Sequence, residues 1–142
     1  MCKSFAIVAL AASLFAFTNN TRAADVGHDN SFMDCAKACD DCARSCTACA
    51  SHCAHLIADG KREHLKTLGT CADCSTVCRA ASAVVAHHGQ FSDIICTACA
   101  EACKRCGAAC DEFKDDTMMK DCASECHKCE KACREMLEHA DR

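Results

Sequence analysis

Cysteines recur in this chain at alternating steps of three and four residues, in four separate blocks, and no other feature restricts the fold as strongly. The first block is Cys35, Cys39, Cys42, Cys46, Cys49 and Cys53, and the second is Cys71, Cys74 and Cys78. Cys96, Cys99, Cys103, Cys106 and Cys110 form the third, and Cys122, Cys126, Cys129 and Cys133 the fourth. Turning by about 100° per residue, an α-helix returns such positions to one face, the seam register of packed helices. Lys37, Asp40, Asp41, Arg44 and Ser51 fall between the cysteines of the first block and take the opposite, solvated face. Each block therefore predicts one helix with its cysteines turned inward. The chain has no proline, which suits helix and argues against a loop-rich stapled fold.

Helix ends are legible from capping residues. Asn30 or Ser31 is the expected cap of the first helix, with Asp34 near its positive end. Asp59-Gly60 is expected to stop it, Gly60 supplying the left-handed residue beyond a helix end. A second helix is expected from about Arg62 to His88, ended by Gly89; Ser92 should cap the third, and Asp115 or Asp116 the fourth. Connections this short make neighbouring helices antiparallel. The predicted fold is all-α: an antiparallel up-down-up-down four-helix bundle with a cysteine-lined core.

The N-terminal residues resemble a targeting segment. Lys3 is followed by an apolar run from Phe5 to Phe17 and by Thr21-Arg22-Ala23, a small-residue cleavage pattern. At thirteen residues the run is shorter than the about 20 that a membrane-spanning helix needs, so no membrane span is expected. The expected organisation is a cleaved signal peptide over 1–23 and one domain over 24–142, exported to a periplasm. Cleavage would remove Lys3, Arg22 and Cys2, taking the formal net charge from −4 to −6.

With acidic and basic residues interspersed, and Phe the one aromatic type present, no basic stripe or base-stacking set favours nucleic acid. No nucleophile–base–acid set or phosphate-binding loop stands out, so no enzyme is expected. What remains is the chemistry of thiols. Disulfides would suit an exported chain, yet they need Cα separations of about 4.4–6.8 Å, whereas packed helix axes lie about 8–10 Å apart. Iron–sulfur clusters want cysteines on a wrapping loop, and closed zinc sites want discrete sets of four. Thiolates also select Cu(I), a soft ion content with few ligands. Two private thiolates per ion would leave a negative charge at every buried site, whereas one bridging thiolate per ion keeps the core near neutral. Storage of multiple Cu(I) ions is the leading reading, with a disulfide-stapled structural or redox module, or an iron–sulfur or zinc protein, as alternatives.

The ladder from Cys35, the segments Cys96-Thr97-Ala98-Cys99-Ala100-Glu101-Ala102-Cys103 and Cys122-Ala123-Ser124-Glu125-Cys126, and the ending Lys131-Ala132-Cys133-Arg134-Glu135-Met136 together resemble the copper storage proteins. That resemblance covers Cys35 to His139. It implies Cu(I) binding by the eighteen cysteines named above, and histidine and methionine residues at one mouth of the bundle. His52 matches by its place before Cys53; His64, seven residues before Cys71, and Met119, three before Cys122, are in seam register. His55, His87, His88, His127 and His139 are expected on the solvated surface. Copper ions are the implied partner, with homo-oligomers suggested and the copper donor or acceptor left open.

Overall fold

The structure, a computed structural model, describes residues 23–140, with side chains from 30 to 139. The expected signal peptide over 1–23 lies, but for Ala23, outside the described residues. Four helices follow one another: α1 (Ala23–Ala58), α2 (Leu65–Ala86), α3 (Ser92–Asp111) and α4 (Thr117–Ala140), with a 3₁₀ turn at Arg62–His64 leading into α2. The helices pack in cyclic order, α1 beside α2 and α4, and α3 beside α2 and α4, as the short loops dictate. The predicted bundle is the observed one. No described helix is long and apolar enough to cross a membrane.

All eighteen cysteines of the ladders are buried, none more than 1% exposed. The register continues past the cysteines on each helix. The same face carries buried His64 in the 3₁₀ turn, buried Thr67, Ala81 and Val85 on α2, and buried Met119 and Met136 on α4. Apolar fillers thus occupy one end of the seam, at Ala81, Val85 and Met136. Residues with donor atoms occupy the other, at His64 and Met119. Outer faces carry exposed ion pairs one turn apart, such as Lys37–Asp41 at 2.6 Å and Arg134–Glu130 at 2.7 Å, worth about 0.3–0.5 kcal/mol each.

Four helix ends differ from expectation. Helix α1 begins at Ala23, so Asn30 and Ser31 lie within it rather than at its N-terminal cap. The second helix opens as a 3₁₀ turn and is α-helical only from Leu65 to Ala86. Beyond it the left-handed residue is His88, at φ 54°, rather than Gly89. Stacking of the His88 ring on Phe32, centroids 4.4 Å apart, accompanies that conformation. Gly89 serves instead for close approach: a Cβ there would lie 2.9 Å from the carbonyl of Val84. Gly60 does take the expected left-handed conformation, at φ 88°. Ser92, expected to cap α3, is instead its first residue, with Phe91 at the cap position, and its hydroxyl donates to the Gly89 carbonyl at 2.7 Å. Asp116 is the cap of α4, its Oδ1 accepting the N–H of Met119 at 3.1 Å.

Candidate metal centre

Because every ladder faces inward, sulfurs of different helices meet along the whole axis. At one end Cys35 Sγ lies 3.7 Å from both Cys96 and Cys133. In the middle Cys42 reaches Cys103 across the diagonal at 3.8 Å and Cys126 on α4 at 3.7 Å. Toward the far end Cys71 lies 3.7 Å from Cys110 and 3.6 Å from Cys106. Sulfur thus meets sulfur near contact distance at both ends of the seam and in its middle. Every described cysteine is a free thiol, and among the contacts above none approaches the about 2.05 Å of a disulfide. The disulfide-stapled alternative is thereby set aside for the described residues.

Groups of four sulfurs lie mutually within 4.8 Å. One is Cys39, Cys99, Cys129 and Cys133, and another is Cys49, Cys71, Cys110 and Cys122. In isolation such a group suits any tetrahedral thiolate metal, zinc included. The groups are not isolated, however. Cys42 and Cys74 each belong to one group with Cys78 and Cys103 and to a second with Cys46 and Cys126; Cys46 and Cys126 recur with Cys106 and Cys122. Shared corners cannot close separate zinc shells, whereas a bridging thiolate between two Cu(I) ions uses that sharing.

Protons are distributed unevenly over this network. S–H donation from neighbours, Cys103 above all, holds Cys42 and Cys99 well below the usual thiol range. Cys106 and other neighbours bring Cys110 down to about 5. Cys126 and Cys129 lie far above that range, chiefly through Cys106 and Cys103 respectively. At the mouth, burial is the main cause pushing the Cys53 thiol up from 9.0. An unfolded Cys53 therefore ionises near 9.0 while the folded one keeps its proton, and stability from that proton is lost as pH rises through the folded value. The thermal midpoint of metal-free protein is expected to fall as pH is raised above 9, and that of copper-loaded protein to fall much less, its thiol protons already displaced. Anaerobic melting at pH 7, 9 and 10 checks this; parallel curves for the two forms would contradict it.

The three additional candidate ligands gather at one end. Met119 is fully buried, with Cys49 S–H donating to its Sδ at 3.4 Å. His64 is 5% exposed and stacks on Phe113, centroids 4.2 Å apart, while its Nδ1 is buried with no hydrogen-bond partner. His52 lies at the rim, Nε2 2.7 Å from Asp116 Oδ2. Asp116 titrates below the usual carboxyl range: burial opposes this, and the His52 and Met119 contacts outweigh it. A cavity of about 400 Å³ opens here between Leu56, His64, Phe113 and Asp116. A cavity of similar volume at the opposite end reaches Cys35 beside Met136 and His139, without an unpartnered buried donor among its described residues. His55, His87, His88, His127 and His139 are exposed, as expected. Phe113 and the reach of Asp116 to α1 were not anticipated; the capping role of Asp116 was the one available signal.

Fold and site together define a soft-metal-binding helical bundle that holds many ions in one thiol-lined interior. The sequence pattern of the copper storage protein family matches residues 28–138. The chain belongs to the copper storage protein family. Among solved structures it is similar to a cytosolic copper storage protein from Streptomyces lividans captured during copper loading with five coppers, at TM-score 0.73 and 30% identity over 80% of this chain and 97% of that one. The copper storage protein Ccsp of the same organism, loaded with 10 copper equivalents, matches at TM-score 0.71 and 32% identity over 77% and 85%. A protein from Nitrosospira multiformis matches at TM-score 0.67 and 29% identity over 78% and 98%. No curated protein sequence matches.

The expectation of an exported, periplasmic protein is corrected by these comparisons, since the similar Streptomyces protein is cytosolic. In general, unpaired thiols persist in a reducing compartment, whereas an oxidising one favours disulfides.

Proposed function

We propose that the domain over 24–142 stores Cu(I) by exchanging one ion for one thiol proton along the core, with Cys35 through Cys133 as the ladder ligands. His52, His64 and Met119 are read as further ligands at the mouth, handing ions to the topmost thiols, Cys49 and Cys53. Storage has no catalytic step in this reading. The observation that carries it is the sharing of sulfurs between adjacent four-thiol groups. Exchange of Cu⁺ for H⁺ at a protonated thiol leaves the buried charge unchanged, and Cu⁺ binding at an ionised one neutralises it, so filling can continue without accumulating the large penalty of unpaired buried charge.

Anaerobic titration with Cu(I) is expected to saturate well above ten ions per chain. A plateau at one to four would sink the storage reading in favour of a discrete site. In the same titration Cys42→Ala is expected to lose one or two ions and retain the rest. Because Cys42 and Cys103 touch at 3.8 Å, the losses of Cys42→Ala and Cys103→Ala should overlap rather than add.

A further inference from the structure

Asp116 divides its carboxylate between two helices at the mouth. Oδ1 accepts the Met119 N–H at 3.1 Å and so fixes the first turn of α4. Oδ2 lies 2.7 Å from Nε2 of His52 on α1. The two side chains are 25% and 31% exposed, partly shielded from competing water. An ionised carboxylate can only accept, so Nε2 must carry the proton of the pair. A neutral imidazole has one ring proton, and the lone pair is therefore on Nδ1. Met119, held by the other oxygen, places its sulfur 3.4 Å from Cys49.

We propose that Asp116 is a positioning residue for Cu(I) passing the mouth: it fixes His52 in the Nε2–H tautomer, leaves Nδ1 as the metal-binding atom, and anchors the turn that carries Met119. This rests on the storage reading. Histidines that bind metals commonly donate their second ring N–H to a carboxylate, and losing that partner lowers affinity or activity by about 10–100-fold. His52 and Asp116 are 64 residues apart in sequence, and the loop entering α4 brings them together.

A role in capping alone is separable from this one. Asparagine caps a helix about as well as aspartate. Its amide, however, can donate N–H toward His52, which favours a lone pair on Nε2 and the proton on Nδ1. Asp116→Asn therefore keeps the cap and inverts the tautomer. Nitrogen NMR of the imidazole rings in metal-free protein, assigned with His52→Gln, reads the tautomer. Stopped-flow transfer of Cu(I) from a coloured chelator complex reads the uptake rate, and the end point reads capacity.

Wild type and Asp116→Glu are expected to show the Nε2–H form. Asp116→Asn should show the Nδ1–H form, with unchanged thermal midpoint and capacity and uptake slower by about tenfold. An Nδ1–H ring in the wild type would overturn the proposal without any variant. So would wild-type uptake by an Asp116→Asn protein whose tautomer has inverted. Failure of the wild type to take up more than a few ions would instead sink the storage reading; the tautomer, measured without metal, is unaffected by that outcome.

Discussion

Copper loading is expected to raise the thermal midpoint by more than about 20 °C, judged from the free energies of multiple ligands that bind only the folded chain. A site occupied at a hundred times its dissociation constant contributes about 2.7 kcal/mol to folding. Ten such sites exceed the roughly 5–15 kcal/mol that holds an ordinary domain together. Unfolded chain retains thiols and binds some copper, which reduces the gain. It cannot retain the bridged arrangement, because neighbours such as Cys39 and Cys133, 3.6 Å apart in the bundle, are 94 residues apart in sequence. Anaerobic melting followed by helical circular dichroism, with and without saturating Cu(I), makes the measurement. Equal midpoints would mean that copper binds outside the core or binds the unfolded chain as well. A midpoint that climbs steadily with each added ion fits distributed filling, whereas a single jump near one equivalent would indicate one dominant site.

Much of this core was legible in advance because the helix repeat and the cysteine spacing are commensurate. Steps of three and four leave no second face on which Cys35 to Cys53 could fall, and all six are buried. The same logic placed Met119 in the seam, where it touches Cys49. Helix ends were read less well, since caps depend on a few local contacts. His88 takes the left-handed conformation beside Phe32, a residue 56 positions away, and no local rule favours it over the neighbouring glycine. The His52–Asp116 pair was invisible for a similar reason: each residue has an ordinary local role, as a rim histidine and a helix cap. Only the bundle's loop order brings them within hydrogen-bond distance. The export expected from the N-terminal apolar run is at odds with the cytosolic Streptomyces relative, and the run itself lies outside the described residues.

Replacing Met136 by alanine is expected to destabilise the metal-free bundle by about 2–5 kcal/mol, the range for removing a buried methionine side chain. Met136 lies one register step beyond Cys133 and is fully buried. It is one of the two largest fully buried side chains; most of the other members of that set are cysteines. A core built of thiols has little apolar volume to spare, and the other buried fillers at this end of the seam, Ala81 and Val85, are small side chains. For a chain of this length the loss corresponds to a midpoint lower by about 10–20 °C. Cys126→Ala makes the useful contrast: it removes one sulfur atom from the centre of the network, and its cost is expected to be about 1 kcal/mol. The two variants should reverse order in copper capacity. Met136→Ala keeps every ladder thiol and should load fully, recovering most of its midpoint, whereas Cys126→Ala should lose ions bound near Cys42 and Cys46, 3.7 and 3.6 Å away. If Cys126→Ala instead melts the metal-free bundle and Met136→Ala leaves it unchanged, thiol contacts rather than apolar end-packing hold the empty protein together.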